Sequence, residues 1–131
     1  MIRALDTNVI VELLRGNDQA LAGRYLAASP RHYAVPEMVR AELLFGAAVS
    51  ARPDANRAAV ERLLQPLRLI PFAGEAAGHY AAIRAELQQR GTPIGANDLI
   101  IAATARAHGC TLVTRNTAEF DRVPALALER W

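Results

Sequence analysis

The stretch Ile2-Arg3-Ala4-Leu5-Asp6-Thr7-Asn8-Val9-Ile10 joins two periodicities. Ile2 to Leu5 is a short apolar run, and Asp6 follows it at once. From Thr7 to Arg15 the apolar residues recur at helical spacing, with Val9, Ile10, Leu13 and Leu14 on one side. A strand feeding directly into a helix is the opening of an α/β unit, and the pattern repeats outward. Gly16-Asn17-Asp18 ends the first helix and caps a second that runs to about Ala28. His32 to Val35 is a second strand, and Pro36 suits the first position of a helix running from Glu37 to about Ser50. Arg52-Pro53-Asp54 breaks that helix, and Asp54 caps another to about Leu64. Leu67 to Ile70 is a third strand, followed by a long helix from Glu75 to Arg90 closed by Gly91. Asn97 to His108 is helical with Gly109 as its cap, Thr111 to Val113 is a fourth strand, and Leu126 to Leu128 a fifth. Alternating strands and helices predict an α/β fold on a mostly parallel sheet of about five strands. Ligands of such sheets bind beyond the carboxyl ends of the strands, at the switch point.

Composition narrows the chemistry. The 131 residues fit one domain, and 52% hydrophobic with 21% charged residues is a globular balance. The 15 basic residues are all arginine. Without lysine there is no Walker-A phosphate loop, no Schiff-base amine and no kinase-type phosphate lysine. A net charge of +2 permits nucleic-acid binding without demanding it. The single cysteine, Cys110, excludes an internal disulfide and a cysteine-based zinc site. The N-terminus lacks the pattern of a signal peptide, and no apolar run has the length of a membrane span, so a soluble, cytoplasmic protein is expected.

Three of the 13 acids stand where surface acids do not. Asp6 directly follows the first strand; it is either a helix cap or, if Thr7 caps instead, a cleft carboxylate. Glu42 falls within about 60° of Met38, Val39, Phe45, Gly46 and Val49 on a helical wheel, which centres it on an apolar face. Its alternative is a glutamate at the edge of that stripe, reaching solvent or an arginine. Asp98 shares a face with Ile101, Ala102 and Ala105, or simply complements the helix dipole. Taken together, three acids at three helices can converge at one end of the sheet, where they would raise one another's pKa unless a cation sat among them. An oxygen-only donor set selects Mg²⁺ or Mn²⁺ over zinc and supports phosphoryl chemistry. Asn116, beyond the fourth strand, is placed to donate to a phosphate or orient water, or else to cap a turn. Glu119 and Asp121 read as surface acids.

The Asp6-Thr7-Asn8 opening, Val39-Arg40-Ala41-Glu42-Leu43, Asn97-Asp98-Leu99-Ile100-Ile101-Ala102, Leu112-Val113-Thr114-Arg115-Asn116 and the Phe120-x-x-Val123-Pro124 tail resemble PIN-domain ribonucleases, within them the VapC toxins of type II toxin–antitoxin modules. The resemblance implies a three-layer α/β/α sandwich forming a single PIN-like domain over residues 1–131. It implies an acidic triad of Asp6, Glu42 and Asp98, with Asp6 and Asp98 as magnesium ligands and Asn116 in an auxiliary role. It implies Mg²⁺- or Mn²⁺-dependent endoribonuclease cleavage of tRNA or rRNA, a homodimer, and a VapB-type antitoxin that binds and inhibits the toxin in a hetero-oligomer. Many members carry a fourth acid where this chain has Asn116. That departure keeps open a catalytically degenerate PIN-like module that acts only through partners. An aspartyl-phosphate phosphatase is the other alternative, disfavoured by Asn8 and the absence of lysine.

Arginine pairs bidentately with phosphate, and Arg3, Arg15, Arg40, Arg84, Arg106 and Arg115 are the candidates for holding RNA, Arg115 foremost. Leu44 and Val11 point away from the expected core and are read as an apolar patch for a partner. His32, His79 and His108 lack ligand spacing. Met38 and the aromatic residues are expected in the core.

Overall fold

A computed structural model describes residues 1–131. The chain runs β1 (Arg3–Leu5), α1 (Thr7–Arg15), α2 (Gln19–Leu26), a 3-10 turn (Pro30–His32), β2 (Tyr33–Pro36), α3 (Glu37–Ala48) and α4 (Pro53–Leu64). It continues through β3 (Arg68–Ile70), α5 (Ala76–Arg90), α6 (Ala96–Ala107), β4 (Thr111–Thr114), α7 (Thr117–Phe120) and β5 (Leu128–Arg130). The five strands form one sheet in the order β3-β2-β1-β4-β5, and every neighbouring pair is parallel. Helices flank it in a three-layer α/β/α sandwich. The order reverses between β1 and β4, so the crevice for a ligand opens at the carboxyl ends of those two central strands.

The central strands are short and apolar where they cross the core, with Thr114 as the buried polar residue at the end of β4. Ala4, Leu5, Leu112 and Val113 are fully buried, as both faces of a parallel strand must be. They belong to a hydrophobic cluster of 26 buried residues that joins sheet and helices. Helix α6 lies close against this core because Ala102, Ala103 and Ala105, all fully buried, present almost no bulk. The edge strands β3 and β5 have three residues each, which limits the unpaired ladder they expose. Gly91 and Gly109 adopt left-handed φ values of 69° and 66° just past α5 and α6, the conformation that glycine reaches without a Cβ penalty.

Several local expectations differ from the structure. Pro36 closes β2 instead of opening α3; its φ of −60° and ψ of 140° fit an extended residue ahead of the helix. Pro53 begins α4 after Arg52, where a missing N–H costs nothing, so Asp54 sits in the first turn as a dipole partner and not as the cap. The last strand is Leu128–Arg130, set by pairing Leu112 with Leu128 and Thr114 with Arg130 across to β4. Helix α3 buries Val39, Leu43 and Ala47, leaving Glu42's neighbours Phe45 and Val49 69% and 68% exposed. Leu44 and Val11, read as outward-facing, are partly buried against the core instead. The reason is that α3 carries apolar residues nearly all round, so a wheel offers two faces and only packing against α4 and the sheet selects one. Phe72, 41% exposed, also departs from the core expectation for aromatics.

Candidate active site

The acids meet at the crevice through a ring of hydrogen bonds. Asp6, 4% exposed, ends β1 and hands its backbone N–H to Val113 O at 2.9 Å, which ties it to β4. Its Oδ1 accepts from the Thr7 amide at 2.8 Å as the cap of α1, and its Oδ2 accepts from Thr114 Oγ1 at 2.7 Å. Asp6, not Thr7, is therefore the cap, and it occupies the crevice as well. Thr7 is left to donate its hydroxyl to Glu42 Oε1 at 2.7 Å, while Asn97 Nδ2 approaches Glu42 Oε2 at 3.4 Å. Glu42 is thus half-buried at the cleft wall, oriented by residues of α1 and α6, and not sunk in an apolar face.

Asp98 stands in the first turn of α6, one residue past Asn97. Glu42, Asn97, Asp98, Gly95 and Ala96 line one open cavity of about 380 Å³. On the far side, the Gly95 amide donates to Glu119 Oε1 at 2.8 Å and Asn116 Nδ2 donates to Glu119 Oε2 at 2.8 Å. A Cβ on Gly95 would lie 3.7 Å from both Asp98 Oδ2 and Glu119 Oε1, so these carboxylates share one small space. The Asn116 amide closes the ring on Thr114 Oγ1 at 2.9 Å. Asp6, Glu42, Asp98 and Asn116 are thereby brought to one rim.

Glu119 corrects the sequence reading: it is a member of the ring and not a surface acid, whereas Asp121 is exposed. Its signal is the spacing of three from Asn116 in the turn after β4. That spacing lets the four-residue α7 fold the carboxylate back over the asparagine. The fourth carboxylate missing at Asn116 is therefore delivered from one turn later, with Asn116 holding it.

Electrostatics records the crowding. Asp98 is pushed up to about 7, chiefly by burial, then by the charges of Glu119 and Asp6, a hydrogen bond shared with Glu119, and the Glu42 charge. Glu119 is held below the usual range by the Gly95 amide and Asn116, so Asp98 is the member that retains the proton. Burial raises Asp6 as well, against the hydrogen bonds from Thr114 and Thr7 that lower it. A cluster that must hold a proton near neutrality is one that a divalent cation would relieve. The donor set is oxygen only, which fits a hard cation. No three His, Cys, Asp or Glu side chains close into a cation cage. One or two carboxylates plus water and substrate phosphate is the way Mg²⁺ is commonly held.

The arginines do not gather at this rim as expected. Arg115 binds Asp18 Oδ2 at 2.6 Å, and Arg3 binds Glu129 at 2.7 Å. Arg40 bridges Glu37 and Glu61, Arg15 pairs with Glu12, and Arg106 donates to His79 Nδ1 and Pro124 O. Arg84 donates to the Tyr80 hydroxyl. Each of these guanidiniums already has a partner: those of Arg3, Arg106 and Arg115 lie on other elements, where a sequence cannot display them, whereas Glu12, Glu37 and Tyr80 stand one helical turn from their arginines.

Residues 3–126 match the PIN domain family. Ribonuclease VapC2 of Rickettsia felis is 38% identical over 132 residues, covering 100% of this chain and 98% of that protein. The tRNA(fMet)-specific endonuclease VapC of Salmonella typhimurium is 34% identical, covering 97% and 96%. Among solved structures, VapBC2 from Rickettsia felis bound to a promoter DNA fragment superimposes with a TM-score of 0.91 at 36% identity, covering 100% of this chain and 99% of that chain. DNA-bound VapBC from Salmonella typhimurium gives 0.93 at 33% identity, covering 100% and 98%. PIN-domain ribonucleases depend on divalent metal ions, which agrees with the acidic rim. Full-length likeness to ribonucleases, joined to that rim at the sheet's switch point, places this chain in the PIN-domain family, among the VapC ribonucleases.

Proposed function

We propose that this chain is the endoribonuclease toxin of a VapBC-type module, hydrolysing a phosphodiester bond of tRNA or rRNA with Mg²⁺, for which Mn²⁺ substitutes. The observation that carries the reading is the ring of four carboxylates at the switch point, with Asp98 raised to about 7. Asp6 and Asp98 would hold the ion, with Glu119, held by the Gly95 amide and Asn116, adding negative charge beside them. When bound, the ion withdraws charge from the phosphoryl oxygens and lowers the pKa of water. Glu42, oriented by Thr7 and Asn97, accepts a hydrogen bond from the attacking water and takes its proton. Asn116 acts through Glu119 as a positioning residue, so its lack of charge does not leave the site short of an acid. Residues 1–131 act as one catalytic unit around a single core. The proposed substrate belongs to the cytoplasm; no helix is long and apolar enough to cross a membrane. A homodimer is part of the reading.

The test is cleavage of purified tRNA and rRNA by the chain alone. Cutting at discrete sites with Mg²⁺ or Mn²⁺, abolished by EDTA, is expected. No cutting of either RNA class with either ion overturns the reading and favours a module that acts only by binding.

The partner proposed is a VapB-type antitoxin, since the superimposed structures are VapBC complexes. A groove of about 470 Å³ between α1, α3 and α4 is lined by Val11, Leu14, Leu43, Ala47, Ala59 and Val60, and it reaches Thr7 and Glu42. An apolar segment laid there covers the catalytic wall. Ala59→Arg fills the groove from its half-exposed side. It is expected to weaken antitoxin binding at least tenfold by calorimetry while RNA cleavage by the free toxin stays within twofold.

A further inference from the structure

Phe45 is a large aromatic side chain, 69% exposed, standing three residues beyond Glu42 on the same side of α3. An exposed ring of this size on a helix otherwise packed through Val39, Leu43 and Ala47 is not explained by folding. It forms one wall of an open cavity of about 440 Å³ shared with Thr7, Met38, Ala41, Glu42 and Asn97. The cavity is therefore continuous with the catalytic rim: Glu42 and Thr7 belong to both.

We propose that this cavity takes a nucleobase of the RNA next to the scissile phosphate, with Phe45 as its stacking surface. The inference rests on the ribonuclease reading of the neighbouring acids and names how that site holds its substrate. The chemistry of the lining fits a base. Phe45 and Met38 offer apolar contact to a π face, which is tolerant of base identity. Asn97 is exposed and spends only a long 3.4 Å contact on Glu42, so its amide keeps a carbonyl and a hydrogen for a base edge. Single-stranded RNA is commonly held by aromatic stacking of this kind, with unstacked bases turned onto side chains. Stacking also answers how RNA is gripped beside an acidic rim whose nearby arginines are engaged elsewhere: affinity comes from an uncharged surface. Val49, 68% exposed at the C-cap of α3, stands one turn beyond Phe45, further from the acids.

The experiment uses the full chain carrying Asp98→Asn, so that RNA is bound and not cut, and a fluorescein-labelled twelve-nucleotide RNA of mixed sequence without added metal. Adding Phe45→Ala is expected to weaken binding roughly tenfold by anisotropy, the middle of the range for one lost base stack. Phe45→Trp is expected to retain affinity, and its indole fluorescence to be quenched on adding RNA, whereas a merely structural Phe45 predicts no such quenching. Sedimentation of Phe45→Ala should match its parent. Equal affinity of the alanine variant and its parent, with wild-type cleavage intact, overturns this proposal alone. A changed oligomeric mass on Phe45→Ala also overturns it and assigns the ring to a contact between chains. Failure of the Asp98→Asn parent to bind the RNA while the wild type still cuts tRNA or rRNA also overturns this proposal alone, and only loss of wild-type cutting of both removes the ribonuclease reading with it.

Discussion

Replacing Asp98 with asparagine is expected to abolish RNA cleavage while making the metal-free protein more stable. Removing the outer support of a metal ligand costs roughly 10–100-fold, so stripping the charge from a ligand itself should cost more than about 100-fold in cleavage rate. The stability gain comes from the crowding of acids. Asp98 has a folded pKa of about 7 against an ordinary 3.8, so the native state binds its proton more tightly than the unfolded chain does. That contribution is complete below about pH 4 and is lost as pH rises through 7, because the unfolded chain then gives up the proton freely while the native state gives it up at a cost. Full burial would make such a gap worth about 4 kcal/mol. Asp98 is only half-buried, and screening by water brings the value to about 1–2 kcal/mol. The amide that replaces this carboxyl carries no charge at any pH, so the variant should melt about 3–8 °C higher than the wild type at pH 8 without metal and show no advantage at pH 4. Thermal melts at the two pH values, in EDTA, measure this directly. A melting temperature that falls at pH 8 would mean that Asp98 serves α6 as a stabilising first-turn acid and that the repulsion assigned to it is absent.

Residues differ in how far they can be read from sequence, for physical reasons. The change of periodicity at Asp6 is local: a strand and a helix meet there, and any chain that makes both must leave the acid at the sheet's carboxyl edge. Asp98 is legible for the same reason, since the small residues behind it fix which face of α6 meets the core. Glu42 reads as a cleft residue for a reason that does not hold. Its neighbours Phe45 and Val49 are apolar but exposed, and a wheel cannot tell a face that packs from one that waits for a ligand. Glu119 escapes a sequence reading because its role depends on the amide of Gly95, 24 residues earlier in the chain, and on a four-residue helix too short to leave a periodic trace. Arg115 misleads for the converse reason: its neighbours suggest the crevice, but Asp18, on a different loop, claims it at 2.6 Å. Local periodicity is written in the chain, whereas long-range pairing of polar groups appears only once the sheet order has set which loops meet.

The opposite stability sign is expected for Asp6→Ala. Both substitutions should stop cleavage, with the same loss of more than about 100-fold, because each takes a negative charge away from the ion and Asp6→Ala takes the oxygen donor as well. Their metal-free melts should diverge. The Asp6 carboxylate caps α1 through the Thr7 amide and satisfies the hydroxyl of Thr114, which is itself fully buried. Losing the cap costs about 0.5–2 kcal/mol. Stripping a buried hydroxyl of its acceptor costs about 1–3 kcal/mol more, although Thr114 keeps the incoming bond from the Asn116 amide. Relief of repulsion on Glu42 and Asp98 offsets part of this, leaving a net loss of about 1–3 kcal/mol and a melting temperature lower by several degrees. Asp6→Asn separates the two roles: its carbonyl oxygen still caps α1, so most of the stability should return while cleavage remains lost. If Asp6→Ala melts as high as the wild type in EDTA, the two hydrogen bonds to Asp6 carry no net stabilisation. The acid then stands at the end of β1 for the sake of the ion alone.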